Sequence, residues 1–163
     1  MTTDPERSAL EDVARALLQA DALLASGDAV GALGLCASLL PRWDGMAAVH
    51  VVRARALGLL GRRSEACIAA THAVDRDEGS PDAWAALGDA MLAAGQGGAA
   101  QSAYAQALTR RDEATLWARL GDALLLQGLT ERARMAFDQA QRLDPTLGAA
   151  GSEARAEWNR RQR

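Results

Sequence analysis

Apolar and small residues recur along this chain in a fixed order, and the order repeats. Trp84-x-x-Leu87-Gly88-x-x-Met91 aligns with Trp117-x-x-Leu120-Gly121-x-x-Leu124, and further on Gly95, Ala100, Tyr104 and Ala107 align with Gly128, Ala133, Phe137 and Ala140. The period is about 34 residues, enough for a helix, a tight turn and a second helix. Carried toward the amino terminus, the register finds the turn glycine again at Gly61 and Gly27, each followed at the same offset by an alanine, Ala66 and Ala32. Four units result, at about 13–46, 47–80, 81–113 and 114–147. The first two rest on glycine and alanine spacing, because His50, Arg53 and Ala54, and before them Ala16, Gln19 and Ala20, stand where the later units carry Trp, Leu and Gly.

Each residue type in the pattern has a physical task. A turn glycine supplies a left-handed backbone that other residues adopt at a cost. The small residues Gly88, Ala100 and Ala107, then Gly121, Ala133 and Ala140, let helices approach, and Trp84, Leu87, Tyr104, Trp117, Leu120 and Phe137 fill the gaps between them. Helix starts are marked by Ser80 before Pro81, by Asp28 after Gly27, and by Thr130 after Gly128. Thr3-Asp4-Pro5-Glu6 reads as a further start, which extends the first helix from about Pro5 to about Ser26. After Pro145 a helix is expected again over about 149–161, with Ala154 and Trp158 facing inward and Glu153, Arg155, Glu157, Arg160 and Arg161 polar, as a solubilising cap requires.

The sequence of Trp, Leu-Gly, turn Gly, Ala, aromatic, Ala and a closing Leu143-Asp144-Pro145 resembles the tetratricopeptide repeat. The resemblance implies an all-α fold: a right-handed α-α superhelix, or solenoid, of four such helix-turn-helix repeats within residues 1–147. Residues 148–163 would form a carboxy-terminal capping helix and arginine-rich tail. It also implies a protein-protein interaction module, an adaptor or small chaperone of the kind seen among bacterial secretion chaperones, with a concave groove lined by the first helix of every repeat. Carried over by position, the groove residues are Leu17, Asp21 and Leu24, then Val51, Arg55 and Leu59. Asp82, Ala85, Asp89 and Leu92 follow in the third repeat, and Ala118, Asp122 and Leu125 in the fourth. Chaperone-docking relatives grip a terminal carboxylate with Lys, Asn and Arg, whereas this chain offers aspartates. The expected ligand is therefore an apolar, partly basic segment steered by Asp21, Asp89 and Asp122. The alternative is a self-assembling scaffold whose groove takes a terminal helix of another copy, so homo-oligomerisation is a further expectation.

Composition narrows the remaining classes. Half the residues are apolar (49%) but only 4% are aromatic, a palette of alanine and leucine that favours closely packed helices. A net charge of −3 argues against a nucleic-acid partner, which calls for a basic face. The first residues lack a basic region followed by an apolar stretch, and no apolar run approaches the ~20 residues of a membrane span, so a cytoplasmic protein without membrane insertion is expected. Cys36, Cys67, His50 and His72 fall in no zinc-type spacing and read as structural. Gly95-Gln96-Gly97-Gly98 lacks the Lys-Ser/Thr of a phosphate loop. No enzyme activity and no cofactor are expected.

Overall fold

A computed structural model describes residues 5–147, and the expected cap at 148–163 and the Thr3 helix start lie outside them. Eight helices and no strand occupy the described residues. They are α1 (Pro5–Ala25), α2 (Ala29–Trp43), α3 (Ala47–Leu59), α4 (Arg63–Arg76), α5 (Pro81–Ala93), α6 (Gly97–Leu108), α7 (Ala114–Leu126) and α8 (Thr130–Leu143), followed by a 3-10 turn, Pro145–Leu147. The helices pair as α1–α2, α3–α4, α5–α6 and α7–α8, and each pair stacks on the one before it, giving an all-α helical-repeat solenoid.

Within each pair the turn is the same. Gly27, Gly61, Gly95 and Gly128 have φ of 85°, 72°, 78° and 73°. The residue after each glycine donates its N–H to the carbonyl five residues back, as Gln96 does to Met91 at 2.9 Å and Leu129 to Leu124 at 2.9 Å. These are Schellman closures, which satisfy the last carbonyls of the first helix while reversing the chain. Two starts are capped by side chains: Asp28 Oδ1 accepts from the Gly31 N–H at 2.8 Å, and Ser80 Oγ from the Ala83 N–H at 3.2 Å. Thr130 does not cap. The Leu129 N–H closes the preceding turn, so Leu129 itself holds the cap position and Thr130 is the first residue of the helix.

Packing follows the small residues. A Cβ on Gly88 would lie 2.5 Å from Tyr104 Cε1, and one on Gly121 would lie 2.6 Å from Phe137 Cε1, so each glycine is a seat for the aromatic of its partner helix. Ala100, Tyr104 and Ala107 form one cluster with Ala85, Leu116 and Ala123, which ties the third pair to α7. Ala66, Ala69, Ala70 and Ala73 of α4 do the same with Ala83, Ala86 and Ala90 of α5. Successive first helices touch one another along the stack, whereas successive second helices share no comparable contact. The first helices therefore lie on the inside of the curve, and α2, α4, α6 and α8 on the outside.

One polar group is buried at a pair junction. His50 is 1% exposed, and its Nε2–H donates to the Asp44 carbonyl at 2.8 Å. Arg76 donates to the same carbonyl at 3.0 Å and to the Asp44 carboxylate at 2.6 Å, which holds that carboxyl below its ordinary range. The His72 ring packs edge-on against His50 at 5.6 Å. The set staples the α2–α3 turn to α4. No group of three or more metal-ligating side chains is present among the described residues.

Candidate functional site

The inner face opens into a cleft of about 540 Å³ between α1, α3 and α5. Its walls are Asp21 and Leu24 from α1, and Arg55 and Leu59 from α3. Its floor is small: Ala54 and Gly58 of α3 and Ala86, Ala90 and Ala93 of α5. Asp89 and, from α7, Arg119 close the far side. A floor without large side chains is what creates depth here, because nothing long projects from it to fill the space. A second recess of about 470 Å³ adjoins it, where Leu17, Val51 and Asp82 meet the α2–α3 turn at Met46 and Arg76 at the end of α4. Asp21 and Arg55 line both openings.

The carboxylates are not a bare acidic row. Arg55 reaches Asp21 at 3.7 Å and Asp82 at 3.8 Å, bridging three consecutive first helices. Asp82 also takes a guanidinium nitrogen of Arg111 at 2.8 Å, and that hydrogen bond pulls its carboxyl below the ordinary value. Asp89 accepts from the Tyr104 hydroxyl at 2.7 Å and pairs with Arg119 at 2.8 Å. Burial, reinforced by the Asp89 charge, pushes the Tyr104 phenol up, so it stays a donor. Asp122 stands beside the same set one repeat on, where Phe137 replaces Tyr104 and supplies no hydroxyl. Desolvation raises its carboxyl, with Arg119 acting in the opposite sense.

Of the thirteen expected groove residues, Leu17, Asp21, Leu24, Val51, Arg55, Leu59, Asp82 and Asp89 line the two openings. Ala85, Leu92, Ala118, Asp122 and Leu125 line neither. Ala85 is buried in the cluster that seats α7, Leu92 packs on it, and Ala118 and Leu125 pack against Phe137 and its neighbours. The two openings lie between α1, α3 and α5, so Ala118, Asp122 and Leu125 of α7 stand beyond them; on α5 the reason is register. At 3.6 residues per turn, Asp82, Ala86, Asp89 and Ala93 share one stripe, while Ala85 and Leu92 lie about 60–80° to its side, turned toward the next pair. Arg119 and the alanine floor were the residues that sequence reasoning missed. The 4-3-4 spacing from Asp82 was the signal available for Ala86 and Ala93 and, one repeat on, for Arg119.

The fold and cleft define a class of protein, an all-α helical-repeat solenoid with an open inner face. By sequence, the model for the tetratricopeptide repeat matches residues 114–147, so the last helix pair is such a repeat. Solved structures agree on the fold. A thermophilic tetratricopeptide protein from Thermus thermophilus superposes with a TM-score of 0.78 at 18% identity, covering 85% of this chain and 79% of that one. MamA protein gives 0.68 at 17% identity, with coverage of 88% and 79%. The TPR2AB domain of yeast Sti1, solved in complex with pHSP90, gives 0.56 at 20% identity and is covered over 48% of its own length, against 85% of this chain. Comparison with curated protein sequences finds no match.

Proposed function

We propose that this chain is a protein-protein interaction module whose inner cleft takes an apolar, partly basic segment of another polypeptide. The observation that carries the reading is the cleft of about 540 Å³, with apolar walls at Leu24 and Leu59 over a floor of alanine and glycine. Such a space receives one or two bulky apolar anchors. Charge selects what flanks them. Asp21 is half exposed, and its contact with Arg55 is long at 3.7 Å, so it is available to an incoming cation. Asp89 is committed to Tyr104 and Arg119 and shapes the wall instead. The Sti1 neighbour was solved in complex with pHSP90, which agrees with a partner-binding use of the fold. A terminal carboxylate finds no lysine here, because the chain has none.

Affinity capture from lysate of the source organism tests the reading, comparing the unaltered chain with Leu59→Asp and Asp21→Arg. Both positions are exposed, 62% at Leu59 and 51% at the Asp21 side chain, so both variants fold. Loss of the captured partner in both is expected. Undiminished capture by both contradicts the reading.

Self-association is a second reading, favoured by one observation. Leu18 is 72% exposed on the open face of the first pair, while Val52 and Ala86, at the same register in α3 and α5, are buried against the preceding pair. Light scattering across concentration separates the two readings: a scaffold grows in mass, whereas an adaptor or small chaperone keeps one mass.

A further inference from the structure

The outer face carries a feature that the inner cleft does not explain. Between α7 and α8 lies a crevice of about 400 Å³. Its floor is Trp117, Leu120 and Leu124, and its α8 wall presents Arg132, Met135, Arg142 and one carboxylate, Asp138, which pairs with Arg134 at 4.0 Å. Met135 is 68% exposed although it is apolar. Trp117 anchors its indole N–H on Asp112 at 2.6 Å, which fixes the ring as part of the floor.

The third pair has the same crevice, of about 370 Å³, over Trp84, Leu87 and Met91. There, Ala99 and Ser102 stand where the fourth pair has Arg132 and Met135, and Thr109 stands where it has Arg142. Arg110 also covers the Trp84 ring at 5.4 Å, and the matching position of the fourth pair is Leu143. The fourth crevice is thus the one with an apolar knob and two guanidinium groups at its rim.

Those guanidinium groups have no ion-pair partner among the described residues, since the α8 pairs join Arg134 to Glu131 and to Asp138. Ten residues separate Arg132 from Arg142, about 15 Å along the helix. The chain's own tail, with Arg155, Arg160, Arg161 and Arg163, is a poor match to them in charge.

We propose that this outer crevice is a second docking site, for an acidic amphipathic helix of a partner protein. One bulky apolar side chain of that helix sits on Trp117, Leu120 and Leu124 beside Met135, and carboxylates a turn to either side reach Arg132 and Arg142. Apolar anchoring with flanking charge is the helix-in-groove mode of recognition. The site lies on the opposite side of the solenoid from the cleft, so both can be filled at once.

The probe is a fluorescein-labelled fifteen-residue helical peptide, alanine and glutamine based, with a central leucine and a glutamate four residues to either side. Titrated with the full chain, it is expected to bind saturably, to shift the Trp117 indole N–H resonance, and to bind Leu59→Asp with unchanged affinity. Arg132→Glu with Arg142→Glu weakens it at least tenfold, and a peptide with arginines in place of the two glutamates recovers binding to that variant. Met135→Ala weakens it as well, at unchanged melting temperature. Absence of saturable binding, equal binding by the charge-reversed chain, or failure of the arginine peptide to recover it overturns the proposal.

Discussion

At the scale of single residues, two glycines and one aspartate show how tightly the repeat is specified. Gly88 and Gly121 are required by proximity, because each lies under an aromatic ring and a Cβ would overlap it. Gly121→Ala is expected to cost about 1–3 kcal/mol, the usual range for overpacking a core, and thermal melting measures it. Gly34, with nothing within 4 Å of its added Cβ, is the control that leaves the midpoint in place or raises it. Asp122 carries the opposite kind of signature. Its carboxyl is raised by desolvation, so its ionised form destabilises the fold, and that penalty is fully present above the folded value and absent below the ordinary carboxylate value of about 3.9. Asp122→Asn is expected to melt higher than the unaltered chain at pH 7, with the difference closing as pH falls below about 4. Asp82 has the reverse sign: its carboxyl is depressed by Arg111, so its contribution is held above the ordinary value and lost as pH falls through the depressed one.

At the scale of helices, the boundaries were legible where side chains make them. Ser80 and Asp28 read as caps and act as caps. Thr130 read as one and is not, because the Schellman turn at Gly128 ends on the Leu129 N–H and leaves Thr130 inside the helix. Backbone closure decided that boundary, and the identity of the capping residue does not reveal it. Ser80→Ala should cost about 1 kcal/mol, and Thr130→Ala, which removes no cap, should change the melting midpoint far less. Two expected groove positions on α5 were lost for a related reason. Ala85 and Leu92 sit on the first helix of a repeat as a groove residue would, but the next pair claims their side of α5. Arg119 was hidden because its equivalents in α3 and α5 are Val52 and Ala86, buried side chains, whereas the arginine is long enough to reach back to Asp89.

At the scale of the whole molecule, the repeat period carried the fold, since Trp, Leu-Gly, turn Gly and spaced alanines each have one place in a stacked helix pair. The chemistry of the cleft was only partly legible. Asp21, Arg55, Asp82 and Asp89 were named from the sequence, but their pairing across helices arises from curvature, which brings residues about 30 positions apart side by side on the inner face. A groove read as mostly apolar, with a row of aspartates and one arginine, carries a ladder of alternating carboxylates and guanidinium groups around an apolar hole. The hole is the central claim. Selection of random twelve-residue peptides against the full chain, with each selected peptide then titrated against Leu59→Asp, tests it most directly. The account predicts sequences that converge on a bulky apolar residue next to Arg or Lys and lose at least tenfold in affinity for the variant, whose melting temperature is unchanged. Selected peptides that bind Leu59→Asp as tightly as the unaltered chain would contradict it.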